Sequence, residues 1–376
     1  MKVQVLQENL QKGLSIVGRA VATRSTLPIT ANVKLETEGQ GRLRLSATDM
    51  DIGISAWVGA RVDEPGATTV PSRLISDYVS SLPPVPVHIE MPERGRQVHL
   101  DCGSPETSRN DSTINAMDAE DFPDIPRVTD GISITLDPRV LRPTIERVEF
   151  AAASDETRPV LTGVQVKSSD NRLTFAAADG FRLAVSDIIL EQPPAEPVEV
   201  IVPARALREL SRLIADTTEP IEMRINANRT HVLFAMTDIE LVAGLIQGTF
   251  PNYSQLIPPE WSTRCTVKVD EFKREAKIAS IFARDGSGII RLQMEPELLK
   301  VSAAADEVGN NEGQIEARIE GDASKIAFNS RYLQDVLNAL DGDVKLEMTS
   351  PSSQGVFRPV GDDSYVHVVM PMFVQW

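Results

Sequence analysis

Only two cysteines, four histidines and 5% aromatic residues occur in 376 positions, and the scarcity of each argues against a class of chemistry. Cys102 and Cys265 lie far apart, with no CxxC spacing and no neighbouring histidine, so neither a disulfide framework nor a zinc site is expected. Both read as reduced thiols. His88, His99, His231 and His367 are isolated from one another, and three of them sit in alternating strand patterns. Without a nucleophile and an orienting acid beside them, they read as strand residues rather than catalysts. The aromatics are not interleaved with basic residues, which weakens a reading as a single-strand binder that stacks bases. No apolar run approaches the roughly 20 residues of a membrane span. Met1-Lys2-Val3-Gln4-Val5 alternates like a strand instead of building a signal peptide, so the expected location is cytoplasmic, with no membrane partner.

Nucleotide and metal signals are equally thin. Gly13-Leu-Ser-Ile-Val-Gly18-Arg19-Ala20 has the glycine spacing of a phosphate-binding loop, but Arg19 and Ala20 stand where Lys and Ser/Thr are required. Asp49-Met50-Asp51 and Gly361-Asp362-Asp363 could ligate a divalent ion, yet both fall where hairpin turns are expected, and aspartate is a common turn residue. No cofactor and no metal are expected, and the chain reads as a non-enzyme. The net charge of −16 repels nucleic acid on average, unless the basic groups are gathered on one surface.

They are gathered on helices, and the helices repeat. In Val202-Pro203-Ala204-Arg205-Ala206-Leu207-Arg208-Glu209-Leu210-Ser211-Arg212-Leu213-Ile214, a turn of about 100° per residue puts Arg205, Arg208, Glu209 and Arg212 on one side and the leucines opposite. The segments from Val70 and from Phe328 repeat the pattern, with Arg73, Ser76, Asp77 and Ser80, then Arg331, Gln334, Asp335 and Asn338, in the polar positions. The leading arginines are 132 and 126 residues apart, and that near-constant spacing points to a domain-sized internal repeat. A first helix also recurs, as Asn9-Leu10-Gln11-Lys12, Arg139-Val140-Leu141-Arg142 and Glu271-Phe272-Lys273-Arg274, with a basic fourth residue each time. Arg147 is grouped with the basic side of the second copy, and Pro143 is expected to shorten or kink it.

Strand pairs follow the first helices. Leu43-Arg-Leu-Ser-Ala-Thr-Asp49 matches Leu173-Thr-Phe-Ala-Ala-Ala-Asp179, and Val164 to Lys167 followed by Ser168-Ser169-Asp170-Asn171 reads as a hairpin. The expected fold is α+β, with three similar domains at 1–127, 128–258 and 259–376, each of two helices packed on antiparallel sheets. Such repeats joined end to end close into a ring or run on as a filament. Three Arg-led helices favour a surface facing a polyanion, with backbone contact to duplex as the better fit.

Over its whole length the chain resembles the bacterial DNA sliding clamp family, the beta subunit of the replicative polymerase. The segments that carry the likeness are Thr26-Leu27-Pro28-Ile29, Glu64-Pro65-Gly66-Ala67-Thr68-Thr69-Val70-Pro71, Asp155-Glu156-Thr157-Arg158-Pro159-Val160-Leu161-Thr162-Gly163, Ala178-Asp179-Gly180-Phe181-Arg182-Leu183, Phe250-Pro251-Asn252-Tyr253 and Tyr365-Val-His-Val-Val-Met-Pro-Met372. The resemblance implies a head-to-tail homodimer, each chain being half of a closed ring of the DNA clamp fold, with helices around duplex DNA and sheets outside. It further implies that the ring tethers the catalytic subunit of the replicative polymerase, is opened by an ATP-driven clamp loader, and receives other clamp-binding proteins of repair.

DNA contacts are expected at Arg73, Arg142, Arg205, Arg208, Arg212, Arg274 and Arg331, with Arg24 added because the resemblance around Thr26-Leu27-Pro28 places it beside the duplex. A peptide cleft between the second and third domains is implied at Leu161, Ala178, Gly180, Phe181, Arg182, Leu183, Pro251, Gln255, Leu256, Asn329, Tyr332, Val368, Met370, Pro371 and Met372. Phe181 stands where the family often has His, Gln255 where a basic residue is frequent, and Phe373-Val374-Gln375-Trp376 is longer than the usual two residues after Met-Pro-Met. The competing class is a metal-dependent nuclease or other DNA-processing enzyme using Asp49, Asp51, Asp362 and Asp363.

Overall fold

Among the described residues each α-helix follows a strand within one residue, and this unit occurs six times. A computed structural model describes residues 1–22, 27–92, 95–104, 108–155, 157–284, 286–305, 307 and 309–376. Among them are six α-helices: α1 (Gln7–Val17), α2 (Ser72–Ser81), α3 (Pro138–Val148), α4 (Ala204–Leu213), α5 (Val269–Arg284) and α6 (Ser330–Asn338). The strands Lys2–Leu6, Ala67–Pro71, Ile132–Leu136, Glu199–Pro203, Thr263–Lys268 and Ser324–Asn329 precede them in that order. Pro71 and Pro203 end their strands at the helix entry, where the missing N–H is least costly. Three domains of two helices each on antiparallel strands result, an α+β architecture.

By compactness the chain forms two units, Met1–Pro138 with Arg212–Leu245, and Arg139–Ser211 with Ile246–Trp376. The first contains one twelve-stranded sheet. Its longest strand, Ile52–Glu64, pairs antiparallel with Lys2–Leu6 at one end, Val5 opposite Ala60, and with Ile239–Gly244 at the other, Leu241 opposite Ile54. The second unit contains a nine-stranded sheet and a four-stranded one. In the larger, Arg182–Ile189 pairs with Tyr365–Val369, Leu183 opposite Val368. So in both units the strand that follows the opening hairpin of one repeat pairs with the last strand of the next.

The helices bury apolar stripes: Leu10, Leu14 and Val17 on α1, Ile75 and Val79 on α2, Leu207 and Leu210 on α4, and Leu333, Val336 and Leu337 on α6. On α5 the stripe is Phe272 followed by Ala276, Ala279 and Ala283. Two expectations need correction. Glu209 on α4 is buried, because it stands at the edge of the arginine face, next to Leu213. Pro143 does not shorten α3, which has the same 11 residues as α1 and likewise runs on into a 3-10 turn. The hydrogen bond that Pro143 cannot donate is the local cost of this proline.

Two turns of the second unit separate backbone strain from steric exclusion. Gly321 has φ +85° and a Cβ there would stand 1.9 Å from the Ser262 carbonyl oxygen, whereas Gly342, at φ +70°, has open space around it. Gly342→Ala should cost about 1 kcal/mol from the left-handed backbone alone. Gly321→Ala should cost about 2–4 kcal/mol, because the turn itself must shift. Urea melts of the two variants give the comparison, and equal losses would contradict the clash.

Candidate functional site

The hairpin turn between strands Arg172–Ala178 and Arg182–Ile189 builds the most elaborate site in the second unit. Asp179 Oδ1 accepts hydrogen bonds from the N–H groups of Phe181 at 2.9 Å and Arg182 at 3.0 Å. Gly180 supplies the φ of +96° that this turn requires. The turn points the Phe181 ring outward, 59% exposed, and turns Arg182 inward, where only 7% of it is reached by water.

Arg182 is therefore not a surface contact but a buried tie. Its Nε donates to Asp179 Oδ2 at 3.1 Å, Nη1 to Asp335 Oδ2 at 2.6 Å, and Nη2 to the Phe150 carbonyl at 2.7 Å. The guanidinium also lies 4.6 Å from the Tyr332 ring and 5.4 Å from that of Phe150. Phe181 stacks on the far part of this assembly, 6.5 Å from Tyr332. Each nitrogen of this buried cation thus has an oxygen partner, and removing it would leave the largely buried Asp179 without its counter-charge. Arg182 thereby fixes Tyr332, on α6, against the turn that carries Phe181.

The other positions expected to line a peptide cleft divide into buried and exposed groups. Leu161, Ala178, Leu183 and Val368 belong to one buried cluster with Ile201, Phe250 and Val366. Phe181, Leu256, Met370 and Met372 are exposed hydrophobic groups, and Pro251, Gln255 and Gly180 are exposed as well. Tyr332 and Pro371 are half-buried. Asn329 works for the helix: its Oδ1 caps α6 by accepting from the Arg331 and Tyr332 N–H groups. The Met370 N–H donates to the Phe181 carbonyl at 2.8 Å, which ties these two exposed apolar residues together.

Phe150, Asp179, Asp335 and His367 are the site members absent from the sequence-based set. Asp179 and His367 lie in segments that the sequence analysis quotes, Ala178-Asp179-Gly180 and Tyr365-Val-His367, but Phe150 and Asp335 are brought in only by packing. His367 is fully buried and stacks 5.5 Å from Phe150, with Nδ1 3.2 Å from the Tyr365 hydroxyl and Nε2 without a partner among the described residues. Burial, then the nearby Arg182 charge, pushes its pKa down to about 3.

The predicted DNA-facing arginines lie on helix surfaces. Arg73, Arg205, Arg208, Arg212, Arg274 and Arg331 are exposed and Arg142 is half-exposed, while Arg24 lies outside the described residues. Several meet carboxylates: Arg142 Nε is 2.9 Å from Glu146, Arg208 Nη2 2.7 Å from Glu149, Arg274 Nε 3.4 Å from Glu275, and Arg73 Nε 3.9 Å from Asp77. Arg147 departs from the expected surface role. It pairs with Asp362 at 2.9 Å and packs 5.6 Å from the Tyr365 ring.

The four acids of the nuclease alternative are turn residues. Asp49 Oδ1 accepts from the N–H groups of Asp51 and Ile52, and Asp362 Oδ1 from the N–H and hydroxyl of Ser364. Asp49 and Asp51 belong to one compact unit and Asp362 and Asp363 to the other. Nothing in this geometry supports the nuclease reading.

Three family models match in succession: the N-terminal domain of the DNA polymerase III beta subunit over residues 1–126, its central domain over 135–252, and its C-terminal domain over 254–373. The chain is 34% identical to the beta sliding clamp of Synechocystis, with 99% of both proteins covered, and 30% identical to that of Staphylococcus aureus, with 94% of both covered. Among solved structures, the DNA polymerase sliding clamp of Bacillus subtilis aligns with a TM-score of 0.93 at 27% identity over all of both chains. A Pseudomonas aeruginosa DNA polymerase III beta subunit aligns with a TM-score of 0.90 at 28% identity, covering 99% of this chain and 100% of that one.

His367 makes a pH prediction. Its neutral form is held in the fold, while the unfolded chain takes up a proton below the ordinary value of 6.5. Stability is therefore complete above that pH and declines as pH falls toward about 3. The contribution to the slope is at most about 1.4 kcal/mol per pH unit. Urea melts across this interval should show a shallower acid-side decline in His367→Phe, and identical slopes would remove His367 from the account.

Proposed function

The chain belongs to the DNA polymerase III beta-subunit family, and from that premise we propose that it is a sliding clamp: two copies join head to tail around duplex DNA and tether the replicative polymerase. The observation that carries the dimer is a pair of open strand edges. Among the described residues Gly309–Glu316 pairs only with Leu298–Ala305, and Ser108–Asn115 only with Gln97–Ser104. By order in their repeats these are the same two strands that pair where one repeat meets the next, as Ile52–Glu64 does with Ile239–Gly244. A second copy of the chain supplies the missing partner for each edge, and a repeated head-to-tail contact closes when its rotation allows. Exposed Ile278 and Ile281 on α5 and Leu74 on α2 are apolar groups suited to the same contact.

In this reading the domains are 1–127, 128–258 and 259–376, and the Arg-led helix faces meet phosphate. Their carboxylate neighbours must be exchanged for phosphate on contact, which keeps binding loose, salt-sensitive and indifferent to sequence. The protein acts by tethering rather than by chemistry of its own. A separate ATP-driven loader opens the ring. The groove with the Leu183 floor and the Phe181, Met370 and Met372 rim takes a short partner segment with Gln and Leu/Phe anchors, from the polymerase catalytic subunit or from repair proteins that carry the same anchors.

Light scattering at micromolar concentration should return twice the 41.2 kDa chain mass. Ile281→Asp should shift the protein to a monomer that still melts cooperatively, since this side chain is 54% exposed in the single chain. A purely monomeric parent protein would refute the proposed assembly.

A further inference from the structure

After Met370-Pro371-Met372 the chain continues as Phe373-Val374-Gln375-Trp376, and the C-terminal family model ends at Phe373. The continuation is pinned on both sides of Phe373. The Met372 N–H donates to the Ala327 carbonyl at 2.8 Å, on strand Ser324–Asn329, the outer strand of the four-stranded sheet. Trp376 lies with its ring 4.8 Å from Lys325 Nζ, two residues back along that strand. Phe373, between these points, is 86% exposed, more than any other large hydrophobic residue described. A phenyl ring kept in water while its neighbours are held in place is an unpartnered apolar contact.

We propose that Phe373 and Trp376 extend the partner groove, so that a segment seated there makes a further apolar contact just beyond its anchor residues; this rests on the groove reading above. Continuity with the rim carries it. Met370, bonded through its N–H to the Phe181 carbonyl, is three residues from Phe373, a span of at most about 10 Å. Lys325, beside the Trp376 ring, also lines an open cavity of about 500 Å³ whose walls are mixed, with Met294, Ala323 and Pro351 as well as Asp322 and Thr349. The occupant is thus a partner segment longer than the anchor motif, bearing an aromatic or large aliphatic residue next to it.

Fluorescence anisotropy with three labelled peptides tests this: a short one carrying the Gln and Leu-Phe anchors, and two longer ones with a tryptophan-containing extension at one end or the other. The proteins are the full chain, a variant ending at Met372, and the point variants Phe373→Ser and Trp376→Ser, which retain the backbone of the segment. One longer peptide should bind the full chain about tenfold tighter than the short one, and lose that gain in the variants. The short peptide should bind all four proteins equally. Longer peptides that gain nothing, or that keep their gain without Phe373 and Trp376, overturn the extension while leaving the groove standing. Failure of the short peptide to bind the full chain overturns the groove reading as well, and so is told apart.

Discussion

An open strand edge has to be covered, and the architecture follows from how this chain covers its own. Unpaired N–H and C=O groups on an edge strand are a template for another chain. In the first unit Ile52–Glu64 meets this need with Ile239–Gly244, and in the second Arg182–Ile189 meets it with Tyr365–Val369. Among the described residues the strands Gly309–Glu316 and Ser108–Asn115 keep one side open, and both are rich in polar residues. Polar edges remain soluble as single chains while still offering a complete backbone ladder to a second copy.

The same strand exchange sets the surroundings of the proposed partner groove. Pairing Arg182–Ile189 with Tyr365–Val369 brings the Asp179 turn beside Met370, so that Phe181 and Met370 share a hydrogen bond. The first unit repeats this step: the Asp51 carbonyl accepts from the Gly244 N–H, at the corresponding turn. The side chains differ, however. Gly53 stands in the place of Leu183, and a Cβ at Gly53 would come within 2.7 Å of Ile125, so the linker packs its own isoleucine onto that position. At the turn, Asp51 replaces Phe181 and Gly244 replaces Met370. One backbone design therefore gives an exposed apolar rim in the second unit and a self-filled surface in the first.

Much of this was legible in the sequence because it rests on periodicity. The helix faces, the Leu173 to Ala178 hairpin and the alternating strands depend on local spacing, and the repeat multiplies a weak signal by three. What escaped was set by packing between distant segments. Arg182 reads as one more cation near a turn, yet two acids 153 and 3 residues away in sequence draw it inside. Arg147 reads as one of the recurring basic residues of the first helices and is claimed by Asp362. His367 has the alternation of an ordinary strand residue, while Phe150 and Tyr365 enclose it. Leu183, Met370 and Met372 look alike as apolar letters, but Leu183 is core and the methionines are rim.

The central claim is that two chains complete each other's edges around DNA and that retention is topological, not adhesive. It is tested most directly by loading the protein onto a nicked circular duplex with its ATP-driven loader, raising the salt until direct binding is abolished, and then cutting half of the circles. Direct phosphate contacts weaken steeply with salt, so adhesion alone cannot outlast this step. The account predicts that the protein stays on intact circles and leaves the cut ones. Equal release from cut and intact circles would contradict it.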